Sequence, residues 1–109
     1  MQPIDLVHLA GQTGGDALLE GEVLRLFVKT VSADLQRLAA ADGTARREAA
    51  HKIVGSARAI GAREVAQAAA AVEAGKGDVA ALTAAVDAAC AFIDARLAAP
   101  GGKAPEPSR

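Results

Sequence analysis

The chain has 109 residues, 51% of them hydrophobic but with two phenylalanines as its only aromatics, and a formal net charge of −1 at neutral pH. That length accommodates one domain with one core, and the near-zero charge gives no basic field to attract nucleic acid. Cys90 is the single cysteine, which excludes an internal disulfide and a cysteine-based metal cluster, and no uncharged apolar run of about 18 residues exists to enter a membrane.

Much of the apolar fraction is alanine, which favours helix and lets helices approach closely, whereas β-branched and aromatic strand formers are scarce. The expectation is therefore an all-α fold. The opening Met1-Gln2-Pro3-Ile4-Asp5 has neither the basic flank nor the apolar stretch of a signal peptide, so the default expectation is a cytoplasmic protein.

A first short helix is expected over Ile4 to Ala10, stopping at Gly11, with Leu6, Val7 and Leu9 available as a lid over one end of a bundle. His8 lies in this lid without a ligand-like partner at helical spacing, and reads as structural or merely exposed. After the Thr13-Gly14-Gly15 turn, Asp16 can cap a long helix reaching about Ala41. Leu19, Val23, Phe27, Val31, Leu35 and Leu38 form its apolar stripe, widened by Leu24 and Val28. Glu22, Arg25, Lys29, Asp34 and Arg37 read as its solvated face, with Asp34 and Arg37 a weak surface pair.

Asp42-Gly43 breaks that helix, and Asp42 or Thr44 can cap the next, which runs from about Ala45 to Ile60 and ends at Gly61. A further helix over about Ala62 to Ala74 carries Val65, Ala69 and Val72 at core spacing, with Arg63, Glu64, Gln67 and Glu73 on its polar side. Gly75-Lys76-Gly77 is a loop and Asp78 a cap for the last helix, where Val79, Leu82, Val86, Ala89, Cys90, Ile93 and Leu97 alternate by three and four. On that seam Cys90 reads as a buried small hydrophobe. Four such helices with short connections make an antiparallel four-helix bundle over residues 1–98, capped by the short N-terminal helix. Residues 99–109, with three of the chain's four prolines, read as a disordered tail.

Within the helix from Ala45 to Ile60, successive side chains turn by about 100°. Ala49, Ile53, Ala57 and Ile60 then share a buried stripe, and His51 projects to nearly the opposite side with Arg47, Glu48, Val54, Gly55 and Arg58 as neighbours. Gly55 stands one turn beyond His51 on the same face. A helical glycine costs roughly 0.5–1 kcal/mol relative to alanine, a residue this chain uses freely, so the bare patch is read as room for another protein to approach the ring. Position alone would make His51 an ordinary surface histidine on a small helical domain.

The segment His51-Lys52-Ile53-Val54-Gly55-Ser56-Ala57, followed by Ile60-Gly61-Ala62, resembles the signature of histidine-containing phosphotransfer (HPt) domains of two-component phosphorelays. Ile4-Asp5-Leu6 and the Thr13-Gly14-Gly15-Asp16 turn extend the resemblance. It implies that His51 is the phospho-acceptor nucleophile, taking a phosphoryl group from a receiver-domain aspartate and passing it to another receiver. It further implies a binding surface around His51 drawn from Arg47, Lys52, Val54, Gly55, Ser56 and Arg58. The family often has lysine three residues after the histidine, where this chain has Val54. The Mg²⁺ would belong to the partner receiver domain, so no cofactor of its own is expected, and the chain would be a monomeric carrier rather than an enzyme. Three other readings differ in class. One is an HPt-like adaptor that docks a receiver or kinase domain without accepting phosphate. The dimerising half of a sensor kinase needs an ATP-binding domain for which no residues remain, and a metal-dependent hydrolase lacks ligands.

Overall fold

The computed structural model describes residues 2–98, which contain five α-helices and no strand. They are α1 (Leu6–Thr13), α2 (Ala17–Ala40), α3 (Gly43–Ile60), α4 (Arg63–Glu73) and α5 (Val79–Ala98). The tail expected over 99–109 lies outside the described residues. Among the described residues no helix is long and apolar enough to cross a membrane.

The helices begin where short polar side chains satisfy their open N–H groups. Asp5 accepts from the backbone N–H groups of Val7 and His8, Asp16 from those of Leu18 and Leu19, and Asp78 from that of Ala80. Helix α1 runs through Gly11 rather than stopping there, and ends one turn later at Gly14, which adopts the left-handed conformation at φ 63°. Gly11 is exposed and a Cβ there would meet nothing within 4 Å, so it costs helix propensity without breaking the turn. The Thr13 hydroxyl donates to the Leu9 carbonyl at 3.0 Å and ties down the last turn.

Helices α2, α3, α4 and α5 close a ring in which each packs on two others, and α1 lies across α2 and α3 at one end. Glu20 at the start of α2 meets Arg96 near the end of α5 at 2.6 Å, so those two helices run antiparallel. This is the antiparallel four-helix bundle with a short capping helix. Its largest fully buried side chains include Ile4 and Leu9 from the cap and Leu24, Leu38, Ile53, Leu82 and Ile93 from the bundle. Each contributes roughly 1.5–3 kcal/mol by burial.

Three expectations for the core change in the folded chain. The buried line of α2 passes through Gly21, Leu24, Phe27, Val31, Asp34 and Leu38, whereas Leu19 is 40% exposed. Near its N-terminus α2 is covered by the small helix α1, whose eight residues are too few to bury both rims of the stripe. Asp34 is buried rather than solvated, and the Arg37 guanidinium supplies its ion-pair partner from the next turn. Cys90 is half-buried; burial pushes its thiol above the ordinary value, with Asp94 and Asp87 adding to the effect.

Candidate functional site

Within the bundle helix α3 packs on α2 on one side and on α4 on the other, with α1 across its end. Its buried arc is therefore wide: Ala49, Ile53, Ala57 and Ile60 as the periodicity predicts, with Ala50 and Val54 added by the α4 contact. Val54 is 5% exposed and points into the core. It therefore drops out of the surface expected around His51, because α4 covers the flank that a lone helix would leave open.

The remaining arc is solvent-facing and His51 is on it, its side chain 72% exposed. The ring is nevertheless oriented. Its Nδ1 lies 2.8 Å from Oε2 of Glu73, the last residue of α4. A carboxylate only accepts, so Nδ1–H is the donor in this contact and Nε2 is directed away from Glu73. The bundle thus holds the imidazole with one ring nitrogen committed to Glu73 and the other open to solvent.

Two grooves run along α3, and the first contains the ring. This one, of about 490 Å³, is lined by Thr44, Arg47, Glu48, His51, Lys52 and Glu73, which brings two of the expected cations, Arg47 and Lys52, beside the histidine. Thr44 does not cap α3, as one alternative had it; its hydroxyl accepts from Arg47 Nη2 at 3.1 Å, and Asp42 holds the cap position without a side-chain cap bond. The other groove, of about 280 Å³ between α2 and α3, is mostly apolar and is lined by Val23, Leu26, Phe27, Thr30, Ser56, Ala59 and Ile60. Leu26 is 63% exposed at its rim. Ser56 is accordingly half-buried at the helix junction rather than beside the ring.

Gly55 lies on the exposed arc, and a Cβ built there would meet nothing within 4 Å. No contact within the chain requires glycine at this position. Arg58, in contrast, lines a separate cavity of about 360 Å³ with Asp5, His8, Arg63 and Gln67 at the α1 end. It is the one expected cation that does not share the His51 groove. His8 is fixed structurally there, a ring nitrogen lying 3.1 Å from the Ala59 carbonyl oxygen. Among the described residues no three His, Cys, Asp or Glu side chains gather as a metal site.

Glu73 and Thr44 are the residues that sequence reasoning did not place in the site. Glu73 lies on another helix, 22 residues further along the chain, so no local spacing connects it with His51. Thr44 shared the ring's helix face all along, two turns before it, but its composition suggested a cap.

The fold is a four-helix bundle that leaves His51 exposed on α3, with its ring held by Glu73 from α4. The Hpt domain model matches residues 22–99, and the chain belongs to that family. It is similar to the histidine phosphotransferase ShpA from Caulobacter crescentus, whose crystal structure superposes with a TM-score of 0.76 at 30% identity, covering 87% of this chain and 90% of that one. A search of curated proteins gives no match. Membership gives the chain a role in phosphorelay signalling as a carrier that interacts with receiver or kinase domains.

Proposed function

We propose that the chain accepts a phosphoryl group on Nε2 of His51 from the aspartyl phosphate of a receiver domain and passes it to a second receiver. The observation that carries this reading is the Nδ1 contact with Glu73 at 2.8 Å on a ring otherwise open to solvent. In the accepting step the Nε2 lone pair forms the N–P bond while the P–O bond to the aspartyl carboxylate breaks. The aspartate leaves as a carboxylate, and the ring keeps its Nδ1 proton facing Glu73. Onward transfer reverses these events on the next aspartate. Such transfer depends on positioning and charge neutralisation more than on local acid–base machinery, and the Mg²⁺ it uses is assigned to the receiver.

Docking is assigned to the surface around the ring. Gly55 admits the partner's backbone close to His51, and the apolar groove with Leu26 at its rim supplies contact area further along α3. The carrier works as a monomer in this scheme.

The test is a radiolabel transfer assay against candidate receiver domains with His51→Gln and His8→Gln variants. Both variants should fold, since His51 is exposed and His8 contributes one surface hydrogen bond. The parent and His8→Gln should take up label that is lost in acid and stable in base, as a phosphoramidate is, and His51→Gln should take up none. Label on His51→Gln would refute the site. A parent that binds the receiver without ever acquiring label would establish the adaptor reading in its place.

A further inference from the structure

A phosphoryl group on His51 brings a dianion into a groove that already contains two carboxylates, those of Glu48 and Glu73. Unless a cation meets it there, like charges oppose its arrival. Val54, three residues on, is buried and uncharged, and Arg58 opens into a different cavity. Two cations line the groove itself, Lys52 and Arg47. Lys52 follows His51 directly and so projects about a quarter-turn away from it around the helix. It also lines a second groove with Arg37 and Glu48. Arg47 precedes His51 by four residues, on the same face, and helical side chains lean toward the N-terminus. The Cα–Cβ bond of His51 therefore tilts toward the turn that carries Arg47, and both side chains line the same groove. The guanidinium is not free to wander: its Nη2 donates to the Thr44 hydroxyl at 3.1 Å, one turn further from the ring.

We infer that Thr44 and Arg47 form a phosphoryl-binding subsite of the His51 groove, in which Arg47 pairs with the phosphoryl oxygens and Thr44 holds its guanidinium in the groove while His51 is bare. A neutral hydroxyl is a weak partner for a guanidinium, and a phosphoryl dianion, with acceptor oxygens matched to the planar fork, is a strong one. Arg47 therefore leaves Thr44 when the dianion arrives, and returns when it is passed on. Thr44 is a positioning residue: it keeps Arg47 from folding onto Glu48 or Glu73, where it would be neutralised before it was needed. This inference rests on His51 being the phospho-acceptor.

The experiment uses the full chain and phosphoramidate as a small donor, so that receiver docking plays no part. The Nε2–P bond forms, the donor's P–N bond breaks, and ammonia leaves. Arg47→Ala should label about tenfold more slowly than the parent, the effect of one charge-assisted hydrogen bond near solvent, and Arg47→Lys should recover part of the rate. Thr44→Val should label about threefold more slowly, the smaller loss of a neutral positioning bond, and Thr44→Ser should restore the parent rate. Lys29→Ala, which removes one positive charge from the far side of α2, should label as the parent does. In the parent, the Nε–Hε resonance of Arg47 should move on phosphorylation, a change that a purely structural arginine would not show. Parent-rate labelling of Arg47→Ala, or an Arg47 resonance unmoved by phosphorylation, would overturn the subsite while leaving His51 in place as acceptor. A parent that never labels at position 51 would instead remove the function on which the subsite rests.

Discussion

A Cβ added to Gly55 would meet nothing within 4 Å, whereas one added to Gly61 would lie 3.1 Å from both the Cβ and the backbone oxygen of Asp5 and 3.2 Å from the Cβ of His8. The two glycines stand six residues apart, one inside α3 and the other at its C-terminal cap. Gly61 also has φ of 81°, a left-handed conformation that disfavours any side chain. Around it the Asp5 N–H donates to the Gly61 carbonyl at 2.8 Å, Asp5 Oδ2 accepts from Arg63 at 3.0 Å, and the His8 ring meets the Ala59 carbonyl oxygen. This corner closes α1 onto the bundle, and glycine there serves the fold. Around Gly55 the chain makes no comparable demand. The comparison separates a glycine required by internal contacts from one that no contact within the chain requires, and the second is the position the proposed docking would use.

Gly55→Gln probes the open side and carries the largest expected effect. Transfer from a receiver should slow on the order of a hundredfold, equivalent to about 2.7 kcal/mol, because the new side chain occupies the docking space. The melting temperature should hold or rise slightly, by the propensity gained over glycine. Unchanged transfer together with a lowered melting temperature would reverse the assignment of the two glycines.

At the closed corner, Gly61→Ala should destabilise the domain by about 2 kcal/mol, from the forced left-handed backbone and the close approach to Asp5 and His8. Denaturant melts would measure it, and transfer per folded molecule should stay close to that of the parent. A next and smaller effect is expected for His8→Leu, which loses the bond to Ala59 and should lower stability by about 0.5–1.5 kcal/mol. Equal loss of transfer in both corner variants, with stability intact, would mean that the α1 corner takes part in docking.

The smallest effect concerns pH. The Asp5 carboxyl is held below its ordinary value of 3.8, chiefly by the His8 backbone N–H it accepts, with Arg63 and the Val7 N–H adding to this against partial desolvation. A carboxyl lowered in the folded state stabilises the fold above its unfolded value. That stabilisation is lost as pH falls below about 3.8 and through the folded value. Acid titration of the parent should therefore show α1 loosening in that range, and Asp5→Asn should remove this part of the pH dependence. An unchanged acid profile in the variant would show that the contact contributes nothing measurable at the surface.

Local sequence determined a great deal here. The caps at Asp16 and Asp78 and the stop at Gly61 were readable because capping depends on one side chain and its nearest N–H groups. The Ala49, Ile53, Ala57 and Ile60 stripe was readable because helical period alone sets it, and it placed His51 on the outside before any partner helix was known. What α3 touches was decided only by the tertiary structure. One helix can be flanked by one neighbour or by two, and periodicity does not say which; the second neighbour, α4, buried Val54 and delivered Glu73 to the ring. The same limit explains Asp34, polar by type yet buried because α2 lies between two helices with Arg37 at hand to pair with it. It explains Arg58 as well, which shares a helix with His51 but faces the cavity that α1 and α4 build with it. Sequence thus settled which residues can lie on one face of one helix. Only packing between helices settled which faces meet, because those contacts join positions with no fixed spacing along the chain.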